Sequence, residues 1–200
     1  MVTDSRRVEP GDLFVALPGS RCHGSRFLSD AARRGAVAAI VGPSGGHCAG
    51  LTCVRVDDEL QALWSLSARN RDRCEAARIA VTGSFAKTTT RQMIHHVLST
   101  SGRCFQSPGN CNNHVGLPLS LLGLEPDDRF GVFEVAASGP GEIGPLSDLV
   151  RPDAGVLTGL GRAHLGGFGS FASVVNEKRR LLESVSVGGL LVIPVECLER

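Results

Sequence analysis

The sequence predicts an α/β protein with a small N-terminal α/β domain, residues 1–75, followed by a phosphate-loop-type domain with a mostly parallel sheet, residues 76–200. Short apolar runs that suit buried strands alternate with amphipathic stretches that suit helices, and this alternation is typical of parallel βαβ units. It is most regular in the second domain. Ligand sites are therefore expected at the carboxyl ends of the strands.

The first domain is predicted to contain three strands and two helices. The apolar runs at 12–17, 36–41 and 51–56 predict the strands, and the stretches 27–34 and 58–70 predict the helices. Gly35 is a typical helix stop, and either Asp57 or Asp58 caps the second helix.

The second domain is predicted to alternate strands and helices along its whole length. The strands are predicted at 78–82, 104–106, 130–135, 154–158 and 189–194, and the helices at 88–100, 115–122, 142–149 and 170–184. Ser170 is the candidate cap of the last helix.

Composition excludes several classes of protein. Net charge is +1, so no basic surface for nucleic acid is expected, and no apolar run approaches the roughly 20 residues of a membrane span. The first residues carry charge without a following apolar stretch, so no signal peptide is expected. The seven cysteines form no Cys-x-x-Cys pair and fit reduced thiols. We therefore expect a cytoplasmic protein without nucleic-acid partners or membrane insertion.

A segment between a predicted strand and a predicted helix fits a phosphate loop. Its residues are Gly83, Ser84, Phe85, Ala86, Lys87, Thr88 and Thr89. Amides at the helix start would face the anionic oxygens of a phosphate, Lys87 would neutralise them, and Thr88 would hold Mg²⁺. Among the 21 lysines and arginines only Lys87 and Lys178 are lysines, which marks both positions for explanation.

Ala86 departs from the phosphate-loop pattern, which has glycine before the lysine. A positive φ at an alanine costs about 1 kcal/mol or more, and a Cβ obstructs the close approach of a phosphate. Phe85 also places an aromatic ring where smaller polar residues are usual. A plain strand-to-helix turn remains the alternative for this segment.

Polar side chains also occur after or at the end of two other strands. Asn112 and Asn113 lie in a turn, where their amides could contact phosphate, sugar or metal-bound water, or could form the turn and cap a helix. Glu134 ends an otherwise apolar strand, and a buried carboxylate needs a cation or metal partner. Mg²⁺, which prefers oxygen ligands, is favoured over a structural salt bridge.

The last candidates flank a glycine-rich loop. His164 follows Gly159-x-Gly161 and stands where a dinucleotide fingerprint has its third glycine, and no acidic residue ends a second strand at the required distance. A nicotinamide enzyme is therefore a weak alternative. His164 fits better as a metal ligand or phosphate contact. Lys178 lies either on a solvated helix face or turned toward the metal.

These segments, in this order, resemble the Mur ligase family, and most closely its MurF-type branch. The resemblance is carried by residues 3–17, 82–89, 108–118, 141–143 and 163–170. It implies an ATP-dependent ligase of peptidoglycan precursor synthesis that adds D-alanyl-D-alanine to UDP-N-acetylmuramoyl-tripeptide through an acyl phosphate. The first domain would bind the UDP substrate, and the second would be the first part of the ATP-binding central domain.

The resemblance also implies roles at the ATP site, with Lys87, His164 and Lys178 as the catalytic residues. Lys87 would bind the ATP phosphates, and Thr88 and Glu134 would hold one Mg²⁺. His164 would help to hold a second ion. Lys178 matches a lysine that carbon dioxide carbamylates, a reaction that needs a deprotonated amine and gives an anionic metal-site group.

Substrate contacts are implied elsewhere. Ser5 and Arg6 would lie near the uridine nucleotide, and Asn112 and Asn113 are the other candidates.

The chain also departs from the family. Members have three domains, so the C-terminal ligase domain would be absent or supplied by a separate chain. Members usually have a lead segment before residues 3–6, so the start looks late, and Gly159 stands where asparagine is common. We therefore expect a fragment that is inactive alone, and the alternative is a degenerate module that binds nucleotide or UDP-sugar without catalysis.

Overall fold

The structure is a computed structural model that describes residues 1–20, 22–161 and 165–197. The chain divides into two compact units, Met1–Leu66 and Ser67–Arg200. Within the described ranges, no helix combines the length and the apolar character needed to cross a membrane.

The N-terminal unit contains a three-stranded parallel sheet in the order β1-β2-β3. Its elements are β1 Leu13–Val15, α1 Leu28–Arg33, β2 Ala38–Val41, β3 Thr52–Arg55 and the start of α2 Glu59–Arg73, with 3-10 turns at Ser5–Arg7 and Gly24–Phe27. Asp58 caps α2 by accepting the Gln61 amide at 2.8 Å. Gly35 follows the end of α1 with a φ of +95°, which suits a glycine. Phe14, Leu28, Ala39, Val41 and Leu51 are among the buried side chains of its core.

The C-terminal unit contains a five-stranded parallel sheet in the order β5-β6-β4-β7-β8. Its strands are β4 Ala77–Thr82, β5 Cys104–Gln106, β6 Phe130–Glu134, β7 Ala154–Leu157 and β8 Leu190–Val192. Its helices are α3 Lys87–Leu98, α4 Gly116–Leu121, α5 Ile143–Val150, α6 Leu165–Phe168 and α7 Phe171–Glu183, and a 3-10 turn spans Val195–Cys197.

Strand β4 lies at the centre of this sheet, between β6 and β7. Val81 is paired with Glu134 on one side and with Val156 on the other. The chain builds β5 and β6 on one side of β4 before it crosses to β7 and β8, so the strand order reverses next to β4. Such a reversal opens a crevice at the carboxyl ends of the strands. The loop after β4 therefore lies where a ligand is expected.

The α/β class with parallel sheets is confirmed, and the predicted strands and helices occur with ends that differ by a few residues. Helix α6 was not predicted, because Gly166 and Gly167 disfavour a helix. Strand β8 is shorter than the predicted 189–194, and all three of its residues are exposed.

Candidate functional site

The loop between β4 and α3, residues 83–86 and here called the β4–α3 loop, places an amine at the start of a helix. Gly83 lies so close to Thr158 that a Cβ would overlap its hydroxyl. Ala86 precedes α3 with a φ of 58° and a ψ of 9°, in the left-handed region that disfavours a Cβ. Lys87 begins α3, and its Nζ donates a hydrogen bond to the Gly83 carbonyl at 3.0 Å. This amine and the helix N-terminus lie together at the carboxyl end of β4, and Thr89 is exposed on the same first turn.

Thr88 and Asn112 both bind the carboxylate of Glu134. Thr88 Oγ1 donates to Glu134 Oε2 at 2.8 Å, and Asn112 Nδ2 donates to Oε1 at 2.9 Å. Glu134 is the last residue of β6 and is only 3% exposed. Both donors are neutral, so they solvate the negative charge of this buried carboxylate but do not neutralise it.

Glu134, Thr88 and Asn112 carry side-chain oxygens, the type of ligand that Mg²⁺ prefers. In the part of the chain that the structure describes, no group of three or more His, Cys, Asp or Glu side chains could hold a metal ion. An ion at this position would therefore use the Glu134 carboxylate, the Thr88 hydroxyl and oxygens of a bound phosphate. That combination is usual for Mg²⁺, which is often held by one or two carboxylates plus substrate phosphates. His164, predicted as a further metal ligand, lies outside the described residues.

Arg91 was not predicted as a site residue, yet it holds the asparagine-rich turn against α3. Its buried guanidinium donates to the backbone carbonyls of Ser107 and Gly109, the latter at 3.0 Å. The Asn112 carbonyl accepts the amide two residues beyond β6 at 3.0 Å, which ties this turn to the sheet as well. Arg91 lies one helical turn after Lys87, but no local sequence pattern marks it, because its backbone partners lie 16 and 18 residues away.

Asn113 serves the start of α4. Its Oδ1 accepts the backbone amides of Val115 at 3.2 Å and Gly116 at 2.9 Å. This is the capping behaviour typical of asparagine. Of the two roles that the sequence left open, the observed contacts of Asn113 support the cap, whereas the side chain of Asn112 faces Glu134.

Lys178 is buried on α7 and is 4% exposed. Ser170 caps this helix, because its Oγ accepts an amide of the first turn at 3.1 Å. Burial, and after it the positive charge of Lys87, lower the pKa of the Lys178 amine from 10.5 to about 8. Glu177 and Glu142 act on this pKa in the opposite direction. The two lysines of the chain are therefore close enough for their charges to repel each other.

Glu177, the neighbour of Lys178, was also not predicted. Its buried carboxylate accepts the amides of Gly141 at 2.7 Å and Ile143 at 2.6 Å. Since these amides lie at the N-terminus of α5, Glu177 caps that helix and ties it to α7. No local pattern reveals a cap that is supplied from 34 residues away.

The loop after β7, described over residues 158–161 and here called the β7–α6 loop, packs on the β4–α3 loop. Ser84 donates from its amide to the Gly159 carbonyl at 2.9 Å and from Oγ to the Gly161 carbonyl at 3.2 Å. Thr158 Oγ1 donates to the Phe85 carbonyl at 2.5 Å. Gly159 and Gly161, which suggested a dinucleotide fingerprint, here accept hydrogen bonds from the β4–α3 loop.

In the N-terminal unit, Ser5 and Arg6 line a cavity of about 460 Å³. Ser5 is buried, whereas Arg6 is exposed and pairs with Asp4 at 2.7 Å. The hydrogen bond from the Arg6 side chain lowers the pKa of Asp4 to about 2. These two predicted substrate contacts thus border one open cavity within their own unit.

Comparison with known proteins identifies the family. A model described as "Mur ligase family, catalytic domain" matches residues 1–63, and one described as "Mur ligase middle domain" matches residues 81–199. The UDP-N-acetylmuramoyl-tripeptide--D-alanyl-D-alanine ligases of Bacillus subtilis (strain 168) and Escherichia coli (strain K12) are each 36% identical to the chain. In both cases the match covers 96% of this chain and 42% of the relative, so the chain spans about two fifths of the length of these relatives.

Solved structures agree with this result. MurF from Acinetobacter baumannii superposes with a TM-score of 0.89 at 33% identity, over 97% of this chain and 43% of that chain. MurF ligase from Thermotoga maritima in complex with ADP superposes with a TM-score of 0.84 at 32% identity, over 95% of this chain and 44% of that chain. Since the middle-domain model alone matches more than half of its residues, the chain belongs to the Mur ligase family.

Proposed function

We propose that this chain forms the ATP-binding part of an ATP-dependent amide ligase of peptidoglycan precursor synthesis. The reaction would join D-alanyl-D-alanine to UDP-N-acetylmuramoyl-tripeptide, the substrates that the names of the relatives give for those proteins. The observation that carries the proposal is the position of Lys87 and of the Thr88–Glu134 pair at the carboxyl ends of β4 and β6. The structural relative with bound ADP supports a nucleotide as the ligand.

The start of α3 is suited to the phosphates of ATP. Amides at a helix N-terminus attract anions, and Lys87 adds a compact positive charge beside them. To reach a phosphate, the Lys87 amine would exchange its hydrogen bond with the Gly83 carbonyl for one with a phosphate oxygen. Its charge would then stabilise the phosphoryl group during transfer.

Thr88 and Glu134 would hold Mg²⁺ through their oxygens. When bound, Mg²⁺ neutralises charge on the transferred phosphoryl group. The hydrogen bond between Thr88 Oγ1 and Glu134 keeps the two oxygens together, and Asn112 fixes the second carboxylate oxygen. His164 and Lys178 remain the proposed contacts of a second ion.

Carbamylation is the proposed fate of Lys178. The neutral amine attacks carbon dioxide, a C–N bond forms, and one proton leaves to solvent, which gives an anionic carbamate. A pKa of about 8 provides far more neutral amine near neutral pH than an ordinary lysine would. An arginine keeps its proton and could not react in this way.

The proposed reaction has two steps. The terminal carboxylate of the tripeptide attacks the γ-phosphorus of ATP, ADP leaves, and an acyl phosphate forms. The amine of D-alanyl-D-alanine then attacks the acyl carbon, phosphate leaves, and an amide forms with loss of a proton. Residues 1–75 would bind the UDP part of the substrate near Ser5 and Arg6, and Asn112 and Asn113 remain candidates for further substrate contacts.

The remaining components of the reaction are assigned outside these 200 residues. Because the relatives are more than twice as long as the matched region, we assign the binding of D-alanyl-D-alanine to a further domain, on the same or a separate chain. We place the reaction in the cytoplasm, in keeping with the seven unpaired cysteine thiols.

Titration calorimetry with ADP, in the presence and absence of Mg²⁺, tests the nucleotide site. We expect ADP to bind and Mg²⁺ to tighten binding about tenfold, roughly 1.4 kcal/mol. Thr88→Val keeps the size of the side chain but lacks its oxygen, so Mg²⁺ should no longer tighten ADP binding. Thr100→Val, the same change beyond the far end of α3, is the matched control and should keep the Mg²⁺ effect. Absence of ADP binding to the wild type would refute the proposal.

Phosphate release decides between the ligase and the non-catalytic module. With the C-terminal domain of a relative added as a separate chain, phosphate that appears only when both the muramoyl tripeptide and D-alanyl-D-alanine are present supports ligation. If ATP bound without phosphate release under the same conditions, the chain would instead be a module that only binds nucleotide.

A further inference from the structure

The aromatic ring of Phe85 occupies the space beside two glycines of the β7–α6 loop. A Cβ at Gly159 would lie 2.7 Å from Phe85 Cε2 and closer still to Cζ, well inside contact distance. A Cβ at Gly161 would lie 3.4 Å from Phe85 Cε1. A side chain at position 159 would therefore need the space that the ring occupies, and the exposed ring would have to turn away from this loop.

Hydrogen bonds hold the same two loops in register. Ser84 donates twice to the β7–α6 loop, and Thr158 donates back to the Phe85 carbonyl. The ring thus closes a junction whose polar contacts are all to backbone carbonyls. The β4–α3 loop leads directly into Lys87, so a shift at this junction would move the amine and the start of α3.

Burial does not explain the ring, because Phe85 is 56% exposed. A side chain with more than half of its surface in solvent contributes little to a hydrophobic core. Phe85 is therefore a residue whose effect on the position of the loop can be separated from its effect on folding.

We propose that Phe85 is a positioning residue that fixes the β4–α3 loop against the β7–α6 loop and that requires glycine at position 159. The ring fills the slot beside Gly159 and so holds the start of α3 in the arrangement that receives a phosphate. This consequence for phosphate binding rests on the proposed function, whereas the contact between the ring and the glycine does not.

A double-mutant cycle with Phe85→Ala and Gly159→Ala tests the inference. We expect Gly159→Ala to weaken ADP binding about tenfold in the wild-type background, but no more than about twofold in the Phe85→Ala background, because the clash is then gone. Any backbone cost of alanine at position 159 is the same in both backgrounds and cancels in the cycle. Calorimetry well below the unfolding temperature measures the affinities, and urea unfolding of the same four proteins measures stability.

A second readout needs no nucleotide. The α protons of Gly159 should show a ring-current shift in the NMR spectrum of the wild type, and Phe85→Leu, which keeps bulk but not the aromatic ring, should remove it. Additive effects on both affinity and stability would overturn the inference. If the two substitutions were coupled in stability but all four proteins bound ADP equally well, the ring would contribute only packing. That result would also overturn the inference.

The failure of the proposed function would look different. If the wild type did not bind ADP, the proposed function would be refuted. The contact between Phe85 and Gly159 would then be tested by the Gly159 chemical shift and the unfolding cycle alone. A shifted Gly159 signal with coupled stabilities would then support the contact, and an unshifted signal with additive stabilities would overturn it.

Discussion

Lys87 and Lys178 carry the same amine in different surroundings. Lys87 begins α3, is partly exposed, and donates to a backbone carbonyl of its own loop. Lys178 lies within α7 and is buried, and the pKa of its amine falls to about 8 because burial and the charge of Lys87 disfavour the protonated form.

The chemistry of each lysine is therefore set by its surroundings and not by the type of side chain. A partly exposed amine at a helix N-terminus acts on an anion as a fixed positive charge. A buried amine with a lowered pKa can lose its proton and become a nucleophile. The two positions are also linked, because the charge of Lys87 contributes to the lowered pKa of Lys178.

The largest effect is expected in the pH dependence of stability that Lys178 confers. Because its pKa is about 8 in the folded protein and 10.5 ordinarily, the unfolded state binds more protons between these values, and the free energy of unfolding rises with pH in that window. In buffer free of carbon dioxide, the wild type should gain roughly 2 to 3 kcal/mol relative to Lys178→Met between pH 7 and pH 10. Urea unfolding at a series of pH values measures the gain.

The matched control for this prediction is Arg180→Met, which removes an exposed cation from the same helix. It should leave the pH dependence of the wild type unchanged, because a guanidinium keeps its charge throughout the range. Parallel stability curves for the wild type and Lys178→Met would show that the amine titrates as an ordinary lysine.

A smaller effect is expected at Lys87. Lys87→Met should weaken ADP binding about 30-fold, roughly 2 kcal/mol, because a charged hydrogen bond to phosphate is lost. Lys87→Arg should recover part of the affinity, since arginine keeps the charge but not the compact shape of the ammonium group. Titration calorimetry measures the affinity of both variants. Unchanged ADP affinity in Lys87→Met would show that this amine does not contact the phosphates.

The same variant should also change the pKa of Lys178. With the positive charge of Lys87 removed, the pKa of Lys178 should rise toward its ordinary value, because one of the two causes that lower it is gone. The lower edge of the pH window in which stability rises should therefore move upward in Lys87→Met, while the upper edge, set by the unfolded chain, stays in place. A lower edge in the same place would show that the charge of Lys87 does not lower the pKa of Lys178.

Alternation of apolar and amphipathic runs was sufficient to predict the parallel sheets, because that pattern reflects which faces are buried. It could not predict which residues of β8 are exposed, because exposure depends on the neighbours of a strand and not on its own sequence. Leu190, Leu191 and Val192 have the composition of a buried strand, yet all three are exposed at the edge of the sheet.

The site residues likewise divide into those that the sequence could predict and those that it could not. Thr88 belongs to the phosphate-loop segment and Glu134 ends β6. Both positions place the side chain at one edge of the sheet, so the two could be predicted to meet. Arg91 and Glu177 could not, because they bind backbone carbonyls and amides of segments 16 to 36 residues away. Side chains that hold distant backbone in place carry no signature of their own, whereas side chains within a motif do.

The smallest effect is expected at Ala86, where the sequence predicted strain and the structure shows a φ of 58°. Glycine would remove a Cβ penalty of about 1 to 2 kcal/mol but would add freedom to the unfolded chain worth about 0.4 to 1 kcal/mol. Ala86→Gly should therefore raise the free energy of unfolding by only about 0.5 to 1 kcal/mol. It should also bind ADP about threefold more tightly, because the missing Cβ lets a phosphate approach the backbone.

Arg151→Gly separates these two consequences of the Ala86 change. In the described residues, Arg151 is the other non-glycine residue with a positive φ, 50°, and it follows α5. It should show a comparable gain in stability by urea unfolding, because the same backbone penalty is relieved, but no change in ADP affinity. Equal ADP affinity in Ala86→Gly and the wild type would mean that the phosphates do not approach the β4–α3 loop, and Lys87 would then have lost the partner that its position at the helix start implies.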